Sequence, residues 1–378
     1  MKNNKLLWLF LSWRLILFLF VIVSPMFFVL QNNFLGGEIA NYLKAPWLWA
    51  WGNFDGQHYL SIARYGYKPL QYFYFPAYPM LVGFVSRLFS GQLWVYHLNG
   101  LLISNIAFYF GLVGLLQLIK LDYKKNLIYP TVLLILFFPT SFYFGSFYTE
   151  GIFFCLAVWS FVFARRGKFI FSSVLILIAA TTRILGLVLI AAILVEIIIQ
   201  KQKVNQKIIN SLITLGIGMA GFLGYLYFLQ LRTGDPLEFL HSVELFGDQR
   251  SSTFILLPQV FYRYIFKILP NIGIYFPLVY VTFMEFLVAV LFLLLSVVGW
   301  FRLRKSYWVY MVGGYIMPTL SGSFSSLPRY VIILFPAFIL MEILINQYLP
   351  KYKKIIYGLL FICLLISTML FARGYWVS

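Results

Sequence analysis

The sequence predicts an all-α polytopic membrane protein with about eleven transmembrane or half-membrane helices, and three observations carry that prediction. First, 62% of its 378 residues are hydrophobic and 11% are charged, with a mean hydropathy of +0.88, more apolar surface than a soluble domain can hide. Second, the apolar residues gather into runs at about 7–30, 95–119, 127–145, 148–164, 169–182, 184–200, 208–231, 276–300, 307–320, 329–346 and 355–372. Third, small clusters of Lys and Arg punctuate the ends of these runs, as they do between membrane spans.

The basic clusters fix an orientation. Lys2/Lys5, Lys120/Lys124/Lys125, Arg165/Arg166/Lys168, Lys201/Lys203/Lys207, Arg302/Arg304/Lys305 and Lys351/Lys353/Lys354 hold 17 of the 29 Lys and Arg and fall at alternate ends of the runs, which assigns them to the cytoplasmic side. The net charge of +18 therefore reports topology and not a nucleic-acid partner. The first run follows a short basic start, is too long for a signal-peptide core, carries Arg14 and lacks a small-residue cleavage site, so it is expected to stay as a membrane anchor.

With that orientation the whole chain, 1–378, reads as one integral membrane domain with two large outer segments, a first outer loop at 31–94 and a second at 232–275. Tight apices near 146–151, 182–184 and 321–329 are expected on the same face. Glu38, Asp55, Glu150, Asp235, Glu238, Glu244 and Asp248 all lie there, seven of the eleven acids, so catalysis is sought on the outer side. Residues 169–200 give 32 residues to two crossings, where about 20 each is usual, so the hairpin is short and its apex is expected to dip into a protein-lined cavity.

Several chemistries lose their support. Cys155 and Cys363 both sit inside apolar runs and read as small core residues. No CxxC or HExxH occurs, the three histidines are far apart, and no Gly-rich phosphate loop follows a strand, so no metal and no cofactor are expected.

Trp51 to Tyr67 (WGNFDGQHYLSIARYGY) is the one place where this apolar chain gathers Asn, Asp, Gln, His and Arg. Asp55 to Tyr65 reads as a short interfacial helix with Asp55 at or near its N-cap and Gly66 at its end. Trp47, Trp49, Trp51, Tyr65 and Tyr67 are aromatic anchors for it. Asp55 is either a plain helix cap or a base, and a helix N-terminus, with Arg64 taken as a neighbour, favours its ionised form. His58 lies one turn away. Glu285, near the middle of a long run, is expected to face the bundle interior or the cavity, with no role assigned.

Phe54, Asp55 and Gly56, followed by Tyr59, Leu60, Ile62, Ala63, Gly66 and Tyr67 and then by Phe73 to Pro79 (FYFPAYP), resemble the first outer loop of PIG-V-type mannosyltransferases. That family includes the enzyme adding the second mannose to glycosylphosphatidylinositol anchors and its bacterial relatives, within the GT-C glycosyltransferase superfamily. The resemblance continues at Pro139 to Glu150 (PTSFYFGSFYTE), Thr182-Arg183, Gly234-Asp235-Pro236 and Ser326 to Tyr330 (SLPRY), in order along nearly the whole chain. The chain departs from the family in having Phe54 where Trp usually precedes the Asp.

The resemblance implies a GT-C-like helical fold and transfer of a hexose, mannose by analogy, from a polyprenyl-phosphate-linked donor with inversion. Matched residue by residue, Asp55 is the catalytic base. Arg183 and Arg329, then Arg64 and His58, are the expected partners of the donor phosphate, and Gln57, Glu150 and Asp235 of the acceptor or sugar. Partners are a polyprenyl-phosphate sugar, a lipid- or glycan-type acceptor and membrane lipids. The expected location is a bacterial plasma membrane with the site on the extracytoplasmic face. The rival readings are a GT-C enzyme for another lipid-linked sugar and a polytopic transporter or flippase, but transporters favour midplane charges and matching halves.

Overall fold

The apolar stretch that begins at Asn3 meets no Gly or Pro until Pro25, and it forms one long helix, α1 (Asn3–Val23), closed by a 3-10 turn at Ser24–Met26. This computed structural model describes residues 3–242 and 253–377; Lys2, Glu244, Asp248 and part of the 232–275 segment lie outside the described residues. Residues 38–87 hold short helices, α2 (Glu38–Lys44), α3 (Pro46–Trp49), α4 (Asp55–Tyr65) and α5 (Ala77–Arg87). Apolar helices follow as α6 (Leu93–Asp122), α7 (Ile128–Phe137), α8 (Glu150–Arg165), α9 (Phe169–Ala180), α10 (Gly186–Ile199) and α11 (Val204–Thr233). Short α12 (Glu238–His241) and α13 (Leu257–Arg263) precede α14 (Phe276–Arg302), α15 (Lys305–Thr319), α16 (Leu327–Val331), α17 (Phe335–Tyr348) and α18 (Lys353–Ala372). No strand occurs among the described residues.

Five of the described helical stretches are long and apolar enough to cross a membrane by length and composition: Asn4–Met26, Leu93–Asp122, Val204–Thr233, Phe276–Arg302 and Pro350–Ala372. The chain is an integral membrane protein. The predicted short hairpin is present, since α9 and α10 have 12 and 14 residues where a full crossing takes about 20.

The chain divides into two compact units. The first comprises Met1–Gly66, Tyr78–Cys155 and Met341–Ser378, and the second comprises Tyr67–Ala77 and Leu156–Leu340. In the first unit α1 and α7 pack on α18, and α4 lies against α6. Its core is dense in aromatics, with Phe108 stacked on Phe144 at 4.1 Å between ring centroids. No disulfide joins Cys155 and Cys363.

In the second unit α9 packs on α11 and α10 on α15. Its buried acid Glu196 is fully covered and accepts hydrogen bonds from Arg304 (2.7 and 2.9 Å), Arg165 (3.2 Å), Ser306 (2.6 Å) and Gln200 (2.7 Å). A carboxylate sealed from water in this way is tolerable only because cations and donors surround it. Glu285 faces the interior of this unit as expected, where the Tyr264 hydroxyl donates to it at 2.8 Å.

Candidate active site

Asp55 is the first residue of α4, and the backbone that delivers it is unusual. Phe54, the residue before the helix, sits at φ 56° and ψ −121°, a conformation that L side chains rarely adopt and that costs about 1–3 kcal/mol. Its surroundings impose it. The Phe54 amide donates to the Phe34 carbonyl at 2.7 Å, and the ring is 8% exposed, edge-on to Trp376 at 4.9 Å and near Phe371 at 5.8 Å. Asn53 is wholly buried: its Oδ1 accepts from the Gly36 amide at 2.8 Å, its Nδ2 donates to the Phe371 carbonyl at 2.8 Å, and its carbonyl accepts from the Tyr148 hydroxyl at 2.7 Å. Position 36 must be glycine for this, because a Cβ there would meet the Trp49 carbonyl at 2.1 Å.

Asp55 itself is half-buried in the first turn of α4, where the helix dipole favours its charged form. The helix ends where expected, at Gly66, whose φ of +81° suits glycine and whose amide donates to the Ile62 carbonyl at 2.9 Å. His58 is one turn along the same face and half-buried; burial lowers its imidazole below the ordinary 6.5, and the charge of Asp55 opposes that shift. Gln57 is half-buried beside them. Arg64 is not a neighbour of Asp55: it stands in the last turn, nine residues and roughly 13 Å along the axis, with its guanidinium 5.1 Å from the Tyr65 ring. The sequence reading placed it too close.

The structure does bring the Asp55 helix onto the Pro139–Glu150 motif. A Cβ on Gly56 would lie 3.5 Å from the Phe147 carbonyl, and Tyr59 makes edge contacts with Tyr78 (5.7 Å) and Tyr148 (6.3 Å). Ser104 ties the layer together, its hydroxyl lying at hydrogen-bond distance, 3.0 Å, from both the Tyr148 carbonyl and the Tyr78 hydroxyl. Glu150, the first residue of α8, is 1% exposed and close enough to Tyr78 to act on its hydroxyl electrostatically.

The second unit gathers the other motifs. The guanidinium carbons of Arg183 and Arg329 lie 5.3 and 5.0 Å from the centre of the Tyr330 ring, and Arg329 also donates to the Tyr330 hydroxyl at 3.2 Å. Arg329 is 4% exposed and follows Ser326, another non-glycine residue held at positive φ (67°). The Ala77 amide donates to the Thr181 carbonyl at 2.9 Å, so the proline-rich segment ends on the turn that carries Arg183. Asp235 serves the turn it belongs to: Oδ1 accepts from the Leu237 amide at 2.8 Å and Oδ2 pairs with His241 Nδ1 at 2.5 Å. These two contacts hold its carboxyl below the ordinary carboxylate range. Among the described residues no group of His, Cys, Asp and Glu could hold a metal ion.

A comparison with known proteins decides the fold. No protein-family model matches the chain, and no curated protein does. Among solved structures, ArnT from Cupriavidus metallidurans in the apo state aligns at a TM-score of 0.52 with 14% identity, covering 99% of this chain and 75% of that one. The same protein bound to undecaprenyl phosphate aligns at a TM-score of 0.51 with 14% identity, covering 92% of this chain. The fold is ArnT-like. This chain spans 62% of the undecaprenyl phosphate-bound ArnT chain, and at such identity the likeness to ArnT is one of fold.

Other residues around Asp55 escape sequence reasoning. Arg14 places its guanidinium 3.8 Å from the centre of the Trp51 ring, two residues before Asn53, a cation–π contact inside the first unit. An arginine inside an apolar run was the available signal. Asn53 had only its place in the polar cluster of 51–67, and Trp376 had none. A cavity of about 910 Å³ at the Lys120 end of α6, lined by Asp122, Lys124, Asn346 and Lys353, contains none of the candidate residues.

Proposed function

We propose that this protein is a membrane glycosyltransferase that moves a hexose from a polyprenyl-phosphate-linked donor to an acceptor hydroxyl on the extracytoplasmic face, with inversion. Asp55 takes the proton of the acceptor hydroxyl as its oxygen attacks the anomeric carbon. The bond from that carbon to the phosphate oxygen breaks, and the lipid phosphate leaves with the electron pair. General-base help of this kind contributes about 10²–10⁴-fold.

The observation that carries the reading is Asp55 itself, half-buried in the first turn of α4 behind a residue held at φ 56°. Backbone strain of that sort is kept where the surroundings over-determine it, and it clusters at active sites. Arg183 and Arg329 are assigned the departing phosphate. Two guanidinium groups on one tyrosine ring concentrate positive charge, which stabilises a developing phosphate dianion without requiring a metal. His58, with its pKa lowered, offers a neutral N–H donor, and Gln57 and Glu150 are assigned to acceptor or sugar hydroxyls. The GT-C fold shared with a protein solved with undecaprenyl phosphate supports a lipid-linked donor. Mannose is favoured by the PIG-V-type motifs.

The test is a panel of radiolabelled polyprenyl-phosphate sugars presented to the purified protein in vesicles. Donor consumption that is lost in Asp55→Asn is the expected result; an Asp55→Asn protein with wild-type turnover overturns the assignment. Preference for another sugar on the panel over mannose would keep the reaction and correct the sugar.

A further inference from the structure

The loop that delivers Asp55 is held by a segment more than 300 residues away. Asn53 Nδ2 donates to the Phe371 carbonyl (2.8 Å) and, more weakly, to that of Ala372 (3.4 Å), a sequence separation of 318 and 319 residues. The Tyr42 hydroxyl also donates to the Ala372 carbonyl. Trp376 then turns its ring edge-on to Phe54 at 4.9 Å and 84°.

The 371–377 segment is itself tied down. Arg373 Nε donates to the Phe28 carbonyl at 2.9 Å, its carbonyl accepts from the Gln31 amide at 2.9 Å, and Tyr143 donates to the Val377 carbonyl at 2.6 Å. A fixed strap therefore grips both residues that precede Asp55.

We propose that residues 371–377 act as a strap that sets the position of Asp55, with Asn53 and Trp376 as positioning residues. The proposal rests on the catalytic reading of Asp55. A φ of 56° at a phenylalanine relaxes as soon as its partners let go, because a bulky side chain has no intrinsic preference for that conformation. The strap supplies a buried amide–carbonyl bond on Asn53 and an aromatic wall on Phe54. Loss of either lets the first turn of α4 swing, and a displacement of about 1 Å at a reacting group can cost on the order of 10²-fold in rate. Neither residue touches the acceptor or donor under this proposal, so binding should not change.

Asn53→Ala, Trp376→Ala and Trp376→Phe are compared with the wild type and with Asp55→Asn. Amide hydrogen exchange of the peptide covering 53–58 and donor turnover are both read. Expected are faster exchange confined to that peptide in the two alanine variants, a kcat lowered by about 10–100-fold with the donor KM unchanged, and recovery of both in Trp376→Phe. Trp376 is only partly buried, so its alanine variant keeps the test alive if Asn53→Ala fails to fold. Exchange at 53–58 that stays at the wild-type level in Trp376→Ala overturns the strap. So does wild-type kcat in that variant when Asp55→Asn is inactive, which would leave the catalytic reading standing. An active Asp55→Asn protein removes the catalytic reading, while the exchange data still decide whether the strap holds the loop.

Discussion

Asp55 and Glu196 are both carboxylates in an apolar chain, yet they are held in opposite ways. Glu196 is fully covered and its charge is consumed by two arginines, a serine and a glutamine. Asp55 is half-buried at the start of a helix, and effort is spent on the backbone before it, through Asn53, Phe54 and the 371–377 segment. An acid whose partners saturate it stabilises a fold. An acid that keeps partial exposure behind a strained backbone is the one to which the proposed reaction assigns chemistry.

That contrast breaks most sharply under paired substitution. Asp55→Asn should lower transfer by about 10²–10⁴-fold while the thermal unfolding midpoint in detergent stays put; equal losses in stability and turnover would erase the difference between the two acids. Glu196→Ala should do the reverse. Leaving Arg304 and Arg165 without their acid should cost about 3 kcal/mol of stability, at the low end for a broken buried pair because both arginines keep partial exposure, with turnover per folded molecule preserved.

A smaller effect separates binding from chemistry. Arg183→Ala and Arg329→Ala should each raise the donor KM by roughly tenfold, the size of one lost hydrogen bond to a charged group, and normal donor kinetics in both would remove the phosphate role. The smallest effect concerns His58. Its imidazole is lowered from 6.5 in the folded protein, so the stability linked to its neutral form is complete above about pH 6.5 and falls away as the pH drops through the lowered value. Melting curves between pH 7 and 5 should show wild type losing stability relative to His58→Gln; parallel curves would mean that the ring is not desolvated.

Much of the fold was legible because membrane helices declare themselves locally, and the expected runs emerge as helices from α1 to α18. The short α9 and α10 were readable from residue count alone. Asp55 was legible because an acid amid aromatics is conspicuous, and Gly66 because only glycine suits the end of that helix. The misplacement of Arg64 was avoidable: nine residues at about 1.5 Å each put it at the far end. What could not be read is long-range. Nothing in the local sequence tells Asn53 that its partner is Phe371, and no propensity assigns positive φ to Phe54. The sharing of Tyr330 by Arg183 and Arg329 likewise depends on two loops meeting, about 146 residues apart.

The separation between Asn53 and its carbonyl partner also has a meaning in time. A ribosome adds about 5–20 residues per second, so the 318 residues between them take roughly 15–60 s to make. During that interval the bonds from Phe54 to Phe34 and from Gly36 to Asn53 can already form, but the Phe371 carbonyl and the Trp376 ring do not yet exist. The set of contacts on Asn53 and Phe54 is thus completed only when α18 and residues 371–377 have been made.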